Sequence, residues 1–294
     1  MSDMNVRPRR SVLYMPGSNA RALEKARNLP ADALILDLED AVAPDTKEEA
    51  RAQVVNAVKE GGYGKREIII RVNGLDTPWG MDDIRAAVAA KPDAILVPKV
   101  NSAEDVMRAD KALSDAGADA SMQLWCMIET PFAILNIQAI ASKAASTRMT
   151  AWVMGTNDIA KELRAAHTPT RVPMLASLGL SIIAARAYGI VALDGVYNEI
   201  KNEQGFVATC EQGRDMGFDG KTLIHPSQVM PCNEIFSPDE ETVAFARQTI
   251  AAFELAENKG KGVLKVDGRM VEILHAEIAK RTVAIADAIA ELES

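Results

Sequence analysis

The sequence predicts an α/β protein, a closed (β/α)8 barrel followed by a C-terminal helical extension. Three observations carry this. Eight short β-rich apolar runs recur along the chain. Most gaps between them hold an amphipathic helical pattern, as in parallel strands covered by helices. Charged residues gather just past the C-terminal ends of the runs, which is where barrel active sites form. A doubly wound open sheet is the competing arrangement. No GxGxxG follows the first run, so the usual support for a dinucleotide fold is missing.

In order, the runs are Ser11–Met15, Ala33–Leu38, Ile68–Val72, Ala94–Lys99, Leu124–Glu129, Ala151–Gly155, Ile190–Val196 and Lys221–His225. The helical patterns between them cover Ala20–Leu29, Lys47–Lys59, Asp82–Ala89, Ala103–Ala116, Pro131–Ala145, Met174–Tyr188 and Gly205–Met216. Beyond the eighth run the chain changes character. Ser237–Lys259 reads as one long helix with a cap-like Ser237-Pro238 start, GKGVLKVDG as a Gly-rich loop, and Met270–Leu292 as a second long helix. The expected division is therefore a barrel over residues 1–236 and an extension over 237–294. Such a tail can wrap its own barrel or reach a neighbour's.

Composition excludes several classes. The 294 residues are 48% hydrophobic and 25% charged, an ordinary globular balance with ample core. The net charge of −8 and 4% aromatics argue against a nucleic-acid partner. No apolar run is long enough for a transmembrane helix, and no apolar stretch follows the basic N-terminus as in a signal peptide. Cys126, Cys210 and Cys232 are too few and too dispersed for a disulfide framework or a zinc site, which fits a reducing cytoplasm.

The stretch Leu124–Asp158 organises the chemistry. Two apolar runs, LWCMIE and AWVMG, flank a helical pattern, and an acid closes each: Glu129 directly, Asp158 a turn later. A parallel βαβ unit sets both strand ends at one sheet edge, so Glu129 and Asp158 should stand side by side. A Mg²⁺ ion suits such a pair, since it commonly takes one or two protein carboxylates and keeps other positions for water and substrate. Two unrelated solvent-facing acids would show the same spacing. The other strand ends carry Pro16-Gly17-Ser18-Asn19, then Asp37, Glu39 and Asp40, then Arg71 and Asn73, then Lys99, Asp194 and His225. Singly these can be caps, turns or solvated charges. Together they mark an active site, because stability alone gives no reason to collect charges at one end of apolar strands.

The segments RSVLYMPGSN, DLEDAV, RVNG, VPKV, IETP, GTNDIA and KTLIHPSQ, in this order and spacing, resemble the CoA-ester lyase group of the HpcH/HpaI aldolases. That group includes citrate lyase β-subunits and the citramalyl-CoA and malyl-CoA lyases. The resemblance runs from about Arg9 into the tail. It implies a TIM barrel, Mg²⁺ held by Glu129 and Asp158, and substrate binding by Arg71. It also implies an acid–base residue in a tail loop supplied by an adjacent subunit, at Asp267, hence a homo-oligomer, trimer or hexamer, with tail exchange. Glu39 and Asp40 are expected to fix Arg71 or metal-bound water, and Met15, Pro16, Asn19, Arg21 and Lys25 to contact CoA.

The resemblance implies cleavage of a malyl-CoA-type 3-hydroxyacyl-CoA to glyoxylate and acetyl-CoA or propionyl-CoA, or cleavage of citramalyl-CoA. Its tail departs from the lyase pattern DG-K-MID-x-PH: here Asp267-Gly268-Arg269-Met270-Val271-Glu272-Ile273-Leu274-His275 has Glu272 for the Asp and Leu274 for the Pro. That version looks like the malyl-CoA thioesterase branch, which hydrolyses the same substrate to malate and CoA. A citrate lyase β-subunit is a further alternative. A Schiff-base aldolase using Lys99 would leave the two carboxylates unexplained, and a non-catalytic binding module would leave the rim charges unexplained.

Overall fold

The computed structural model describes residues 6–258 and 260–294. Contacts group Arg9–Phe236 into one compact unit, and Ser237–Ser294 with the described residues before Arg9 into another.

The first unit is a closed barrel of eight parallel strands: β1 Ser11–Pro16, β2 Ala33–Asp37, β3 Glu67–Arg71, β4 Ala94–Val97, β5 Gln123–Ile128, β6 Met149–Met154, β7 Val191–Asp194 and β8 Gly220–Leu223. Strand β1 pairs with β2 on one side and β8 on the other, which closes the ring. The sequence order of strands is also their spatial order.

Strand alternation sorts the apolar residues into two cores. Val12, Ala33, Ile35, Ile69, Ala94, Leu96, Trp125, Met127, Ala151, Val153 and Leu193 fill the barrel interior, with Tyr14 and Val191 at its margin. The intervening residues, among them Leu13, Met15, Leu34, Leu36, Ile70 and Cys126, face the helices and form the larger outer core. Both faces of each strand are buried, so the strands read as continuous apolar runs.

The same alternation places charges. Arg9, at the entrance to β1, makes a two-point ion pair with Glu67 at 2.6 and 2.8 Å, and its guanidinium carbon lies 5.2 Å from the Trp125 ring centre. This closes the N-terminal end of the barrel. Arg10 and Asp32 form a second such pair at 2.9 and 2.8 Å. Asp194, a rim residue in the sequence pattern, is fully buried among outward-facing groups. It accepts from Arg171 Nη1 through both oxygens at 2.7 Å and from Lys221 Nζ at 3.2 Å. Burial would raise its pKa, but the two cations hold it below the ordinary carboxylate value. It is a structural anchor.

The helices depart from the sequence pattern at particular points. The expected Pro131–Ala145 helix is broken into Pro131–Leu135, Ile137–Ala141 and a 3-10 turn at Ser142–Ala145. The break falls at Asn136, whose side chain donates to the Asn101 carbonyl at 3.0 Å, a tertiary bond invisible to local periodicity. Two helices of eight residues each, Thr156–Leu163 and Val229–Phe236, appear where no helix was expected.

In the second unit the helix spans Glu240–Glu254, capped by Asp239, whose carboxylate accepts from Thr242 N–H at 2.6 Å. The stretch expected as a loop and the first residues of the expected second helix form an antiparallel hairpin, β9 Val263–Val266 and β10 Arg269–Glu272. Its turn is Asp267-Gly268, with φ of 45° and 78°. Two consecutive positive φ values are what a two-residue Asp-Gly hairpin turn requires. The following helix therefore starts at Ile273, later than the sequence pattern suggested.

Candidate active site

The C-terminal mouth of the barrel holds a cavity of about 390 Å³ lined by residues from β1, β2, β3, β5, β6 and β8 and from segments that follow strands, Val196 after β7 among them. Alternation in β3 puts Glu67 at the bottom, Ile69 in the inner core and Arg71 at the top. In β5 the inward series is Trp125 and Met127, with Glu129 just past the strand end.

Arg71 is held from one side. Its Nε and Nη2 donate to Asp37 Oδ1 and Oδ2 at 2.7 and 2.6 Å. Asp37 is itself fixed by the Glu39 and Ala41 N–H groups at 2.9 and 3.1 Å. The remaining nitrogen, Nη1, lies 2.8 Å from Glu39 Oε2 and 3.4 Å from Asp40 Oδ2. The Glu39 approach lacks hydrogen-bond geometry, leaving its buried Oε2 without a hydrogen-bond partner among the described residues. Burial pushes the Glu39 pKa up against the pull of Arg71. Behind this turn, Lys47 donates to the Leu38 and Glu39 carbonyls at 2.9 and 2.7 Å, and Asn73 donates to the Leu38 carbonyl at 2.9 Å.

Glu129 is buried at the end of β5. Its Oε1 accepts from the Lys99 backbone N–H at 2.7 Å. Lys99 reaches that position in a left-handed conformation, φ 54°, a region uncommon for non-glycine residues that costs of order 1 kcal/mol. Its ammonium lies 3.6 Å from Glu39 Oε1. Gly155 makes the room: a Cβ there would collide with Glu129 Cβ and come within 2.7 Å of Oε2. Asp158 stands in the first turn of the Thr156–Leu163 helix. Burial, then the Glu39 carboxylate and more weakly Asp158, push the Glu129 pKa up to about 7 despite Lys99.

A buried acid with a raised pKa, facing further acids, is an arrangement a cation relieves. Among the described residues no group of three or more His, Cys, Asp or Glu is arranged to hold a metal. The carboxylates that could serve as donors are Glu129 and Asp158, which both line the cavity. All-oxygen ligation by one or two carboxylates, with positions left for water and substrate, fits Mg²⁺. It fits poorly a metal that expects a closed protein cage.

The structure thus brings Arg71, Glu39, Asp40, Glu129 and Asp158 together. Of the expected CoA contacts, Pro16 lines the cavity. Met15 does not; strand alternation turns it into the outer core. Asn19 caps the helix Ala20–Ala26, its side-chain oxygen accepting from Ala22 N–H at 3.0 Å. Arg21 and Lys25 are exposed on that helix. Asp267 is exposed at the hairpin turn of the second unit.

The likeness to known proteins is consistent along the chain. The HpcH/HpaI aldolase/citrate lyase family model matches residues 10–226, which take in β1 to β8 and every cavity residue. The chain belongs to the HpcH/HpaI aldolase/citrate lyase family. One relative, a (3S)-malyl-CoA thioesterase of Cereibacter sphaeroides, is 52% identical over 283 residues, 96% of each chain. The citrate lyase subunit beta of Escherichia coli is 35% identical over 277 residues, 92% of this chain and 91% of that one. Among solved structures, CitE of Mycobacterium tuberculosis in complex with magnesium, acetoacetate and coenzyme A has a TM-score of 0.70 at 25% identity, covering 93% of this chain and 97% of that one. A citrate lyase of Burkholderia xenovorans reaches a TM-score of 0.81 at 17% identity over 99% of this chain and 97% of that one, a likeness of fold.

This family member has cavity residues that the sequence pattern did not single out. Tyr14 and Met127 lie inside apolar runs, Thr222 lies within β8 and Thr156 just past the end of β6, where short polar residues usually pass as ladder or turn groups. Period-two alternation counted back from Glu129 and Pro16 was the signal that could have found Met127 and Tyr14. Among the described residues no helix is long and apolar enough to cross a membrane. The three cysteines are buried and free.

Proposed function

We propose that the protein is a Mg²⁺-dependent thioesterase acting on a malyl-CoA-type thioester, releasing malate and CoA. The observation that carries this is the 52% identity, over 96% of both chains, to a (3S)-malyl-CoA thioesterase. Carbon–carbon cleavage, the first expectation from the sequence, is supported by the family as a whole. The thioesterase relative and the altered tail Asp267–His275 favour hydrolysis.

Glu129 and Asp158 are the residues that would hold Mg²⁺, which supplies a Lewis acid for a hydroxyl and carboxylate on neighbouring carbons. Arg71 lines the cavity with two guanidinium nitrogens fixed by Asp37 and the third beside Glu39 and Asp40. It therefore offers a preset positive charge to the thioester oxygen as that oxygen becomes anionic. A water oxygen bonds to the carbonyl carbon and gives its proton to a rim carboxylate, for which Glu39 is the candidate. The carbon–sulfur bond then breaks, and the thiolate leaves with a proton as CoA. In the cleavage direction Asp267 would be the acid that protonates the enolate carbon. The reading takes the enzyme as a homo-oligomer in which Asp267 serves a neighbouring copy; its support is a carboxylate exposed at a hairpin turn.

The test is a product assay on purified protein with (3S)-malyl-CoA and Mg²⁺. Equimolar malate and free CoA are expected. Glyoxylate with acetyl-CoA would return the enzyme to the lyases, and no consumption would remove the substrate class.

A further inference from the structure

Tyr14 is the aromatic residue of the cavity lining, and nothing so far uses its hydroxyl. Strand β1 points it inward above Val12, so the ring forms the boundary between the inner core and the cavity. The Arg71 guanidinium carbon lies 4.9 Å from the ring centre. Ring and stacking would be served equally by phenylalanine, so the hydroxyl needs its own reason. A buried phenol usually finds an oxygen or nitrogen partner. Here the hydroxyl's hydrogen bond is to Met127 Sδ at 3.4 Å, and a thioether is a weak acceptor. Of the nearby carboxylates, Asp37 holds Arg71 and its own turn, and Glu129 Oε1 holds the Lys99 N–H; the phenol bonds to none of them. Burial and the charges of Asp37, Glu129 and Glu39 oppose ionisation of the phenol more than Arg71 favours it. The group is thus a neutral donor lining the cavity, and its weak partner Met127 lies one inward step below the metal-pair residue Glu129.

We propose that the Tyr14 hydroxyl is a substrate-binding donor that selects acyl groups ending in a carboxylate. It would exchange its bond to Met127 for one to an oxygen of the acyl carboxylate, beside Arg71. A chain end without oxygen would leave it with the thioether alone. This rests on the thioester reading above, because a carboxylate-bearing acyl group is what that reading brings to the cavity.

Tyr14→Phe removes one oxygen and keeps the ring, the stacking and the core. The test compares wild type and Tyr14→Phe, full-length and with Mg²⁺. It measures kcat/KM for malyl-CoA and, independently of turnover, the calorimetric Kd of L-malate and of 3-hydroxybutyrate, which lacks the second carboxylate. The thermal midpoint should stay unchanged. Malyl-CoA kcat/KM and malate affinity should each fall about 10- to 100-fold, the range for a hydrogen bond to a charged partner, while 3-hydroxybutyrate affinity should not move. Values within twofold of wild type for malate would overturn the proposal, as would equal losses for both acids. If wild type fails to turn over malyl-CoA yet shows the malate difference, the thioesterase reading falls and this one stands. A wild type that binds no malate overturns it.

Discussion

The two ends of the barrel use the same parts differently. At the N-terminal end Arg9 grips Glu67 with two bonds and lies over Trp125; at the C-terminal end Arg71 grips Asp37 with two bonds and lies over Tyr14. Strand β3 supplies the acid below and the arginine above. Below, charges balance: Arg9 with Glu67, Arg10 with Asp32. Above, Arg71, Lys99 and the more deeply placed Lys47 face Asp37, Glu39, Asp40, Glu129 and Asp158. A balanced pair is a structural solution. A negative surplus, held in place by backbone N–H groups and by a glycine with no room for a side chain, is evidence of something cationic to be received. The difference separates stability from function on one scaffold, as the barrel class leads one to expect.

Several substitutions break or sharpen that contrast. The largest effect belongs to the surplus itself. Glu129→Ala or Asp158→Ala should reduce Mg²⁺-dependent turnover by about 10³-fold or more, with the unfolding midpoint retained. Wild-type activity in EDTA would end the metal assignment. Next is Arg71→Lys, which keeps the charge and loses the fork that grips Asp37 while facing the cavity. A fall in kcat/KM of about 10²–10³ is expected, the size of one lost oxyanion donor; near wild-type kinetics would make Arg71 as structural as Arg9. The mirror change is Glu67→Ala. It strands a buried arginine and should lower stability by about 3–5 kcal/mol, read as a lower urea midpoint, while folded protein keeps its kcat/KM. A large kinetic defect with intact stability would erase the distinction between the two ends.

The smallest effect is graded with pH. Without metal, Glu129 has its pKa raised to about 7. Above that value the carboxylate is charged and ready to ligate; below it, binding must first displace a proton. Mg²⁺ affinity should therefore decline as pH falls through about 7, by at most about tenfold per unit. Calorimetric titration across neutral pH measures this, and a flat affinity would show that the burial of Glu129 does not govern the site.

Much of this arrangement was legible before the structure, and the reasons are specific. The eight strands showed because burial on both faces leaves continuous apolar runs. Arg71, Glu129 and Asp158 showed because charges stand out at the ends of such runs. Tyr14 did not, since an aromatic residue inside a strand looks like any core residue. Asp37 looked like a helix cap, whereas it anchors the arginine across β2 and β3. The hairpin was hidden because Met270 onward also satisfies a helical period, and the Asp-Gly turn signal lost to it. Thr156–Leu163 is too short for periodicity to register, although it carries Asp158.

Lys99 combines two services in one residue. Its backbone N–H, turned by the left-handed conformation, holds Glu129, and its ammonium sits 3.6 Å from Glu39. A glycine there would adopt the same backbone without steric strain and keep the donor, while adding roughly as much unfolded-chain freedom as it removes strain. The charge at the mouth can therefore be altered by inheritance or by design while the bond that orients Glu129 survives. Position 99 is a dial on the potential of the cleft, separable from its geometry.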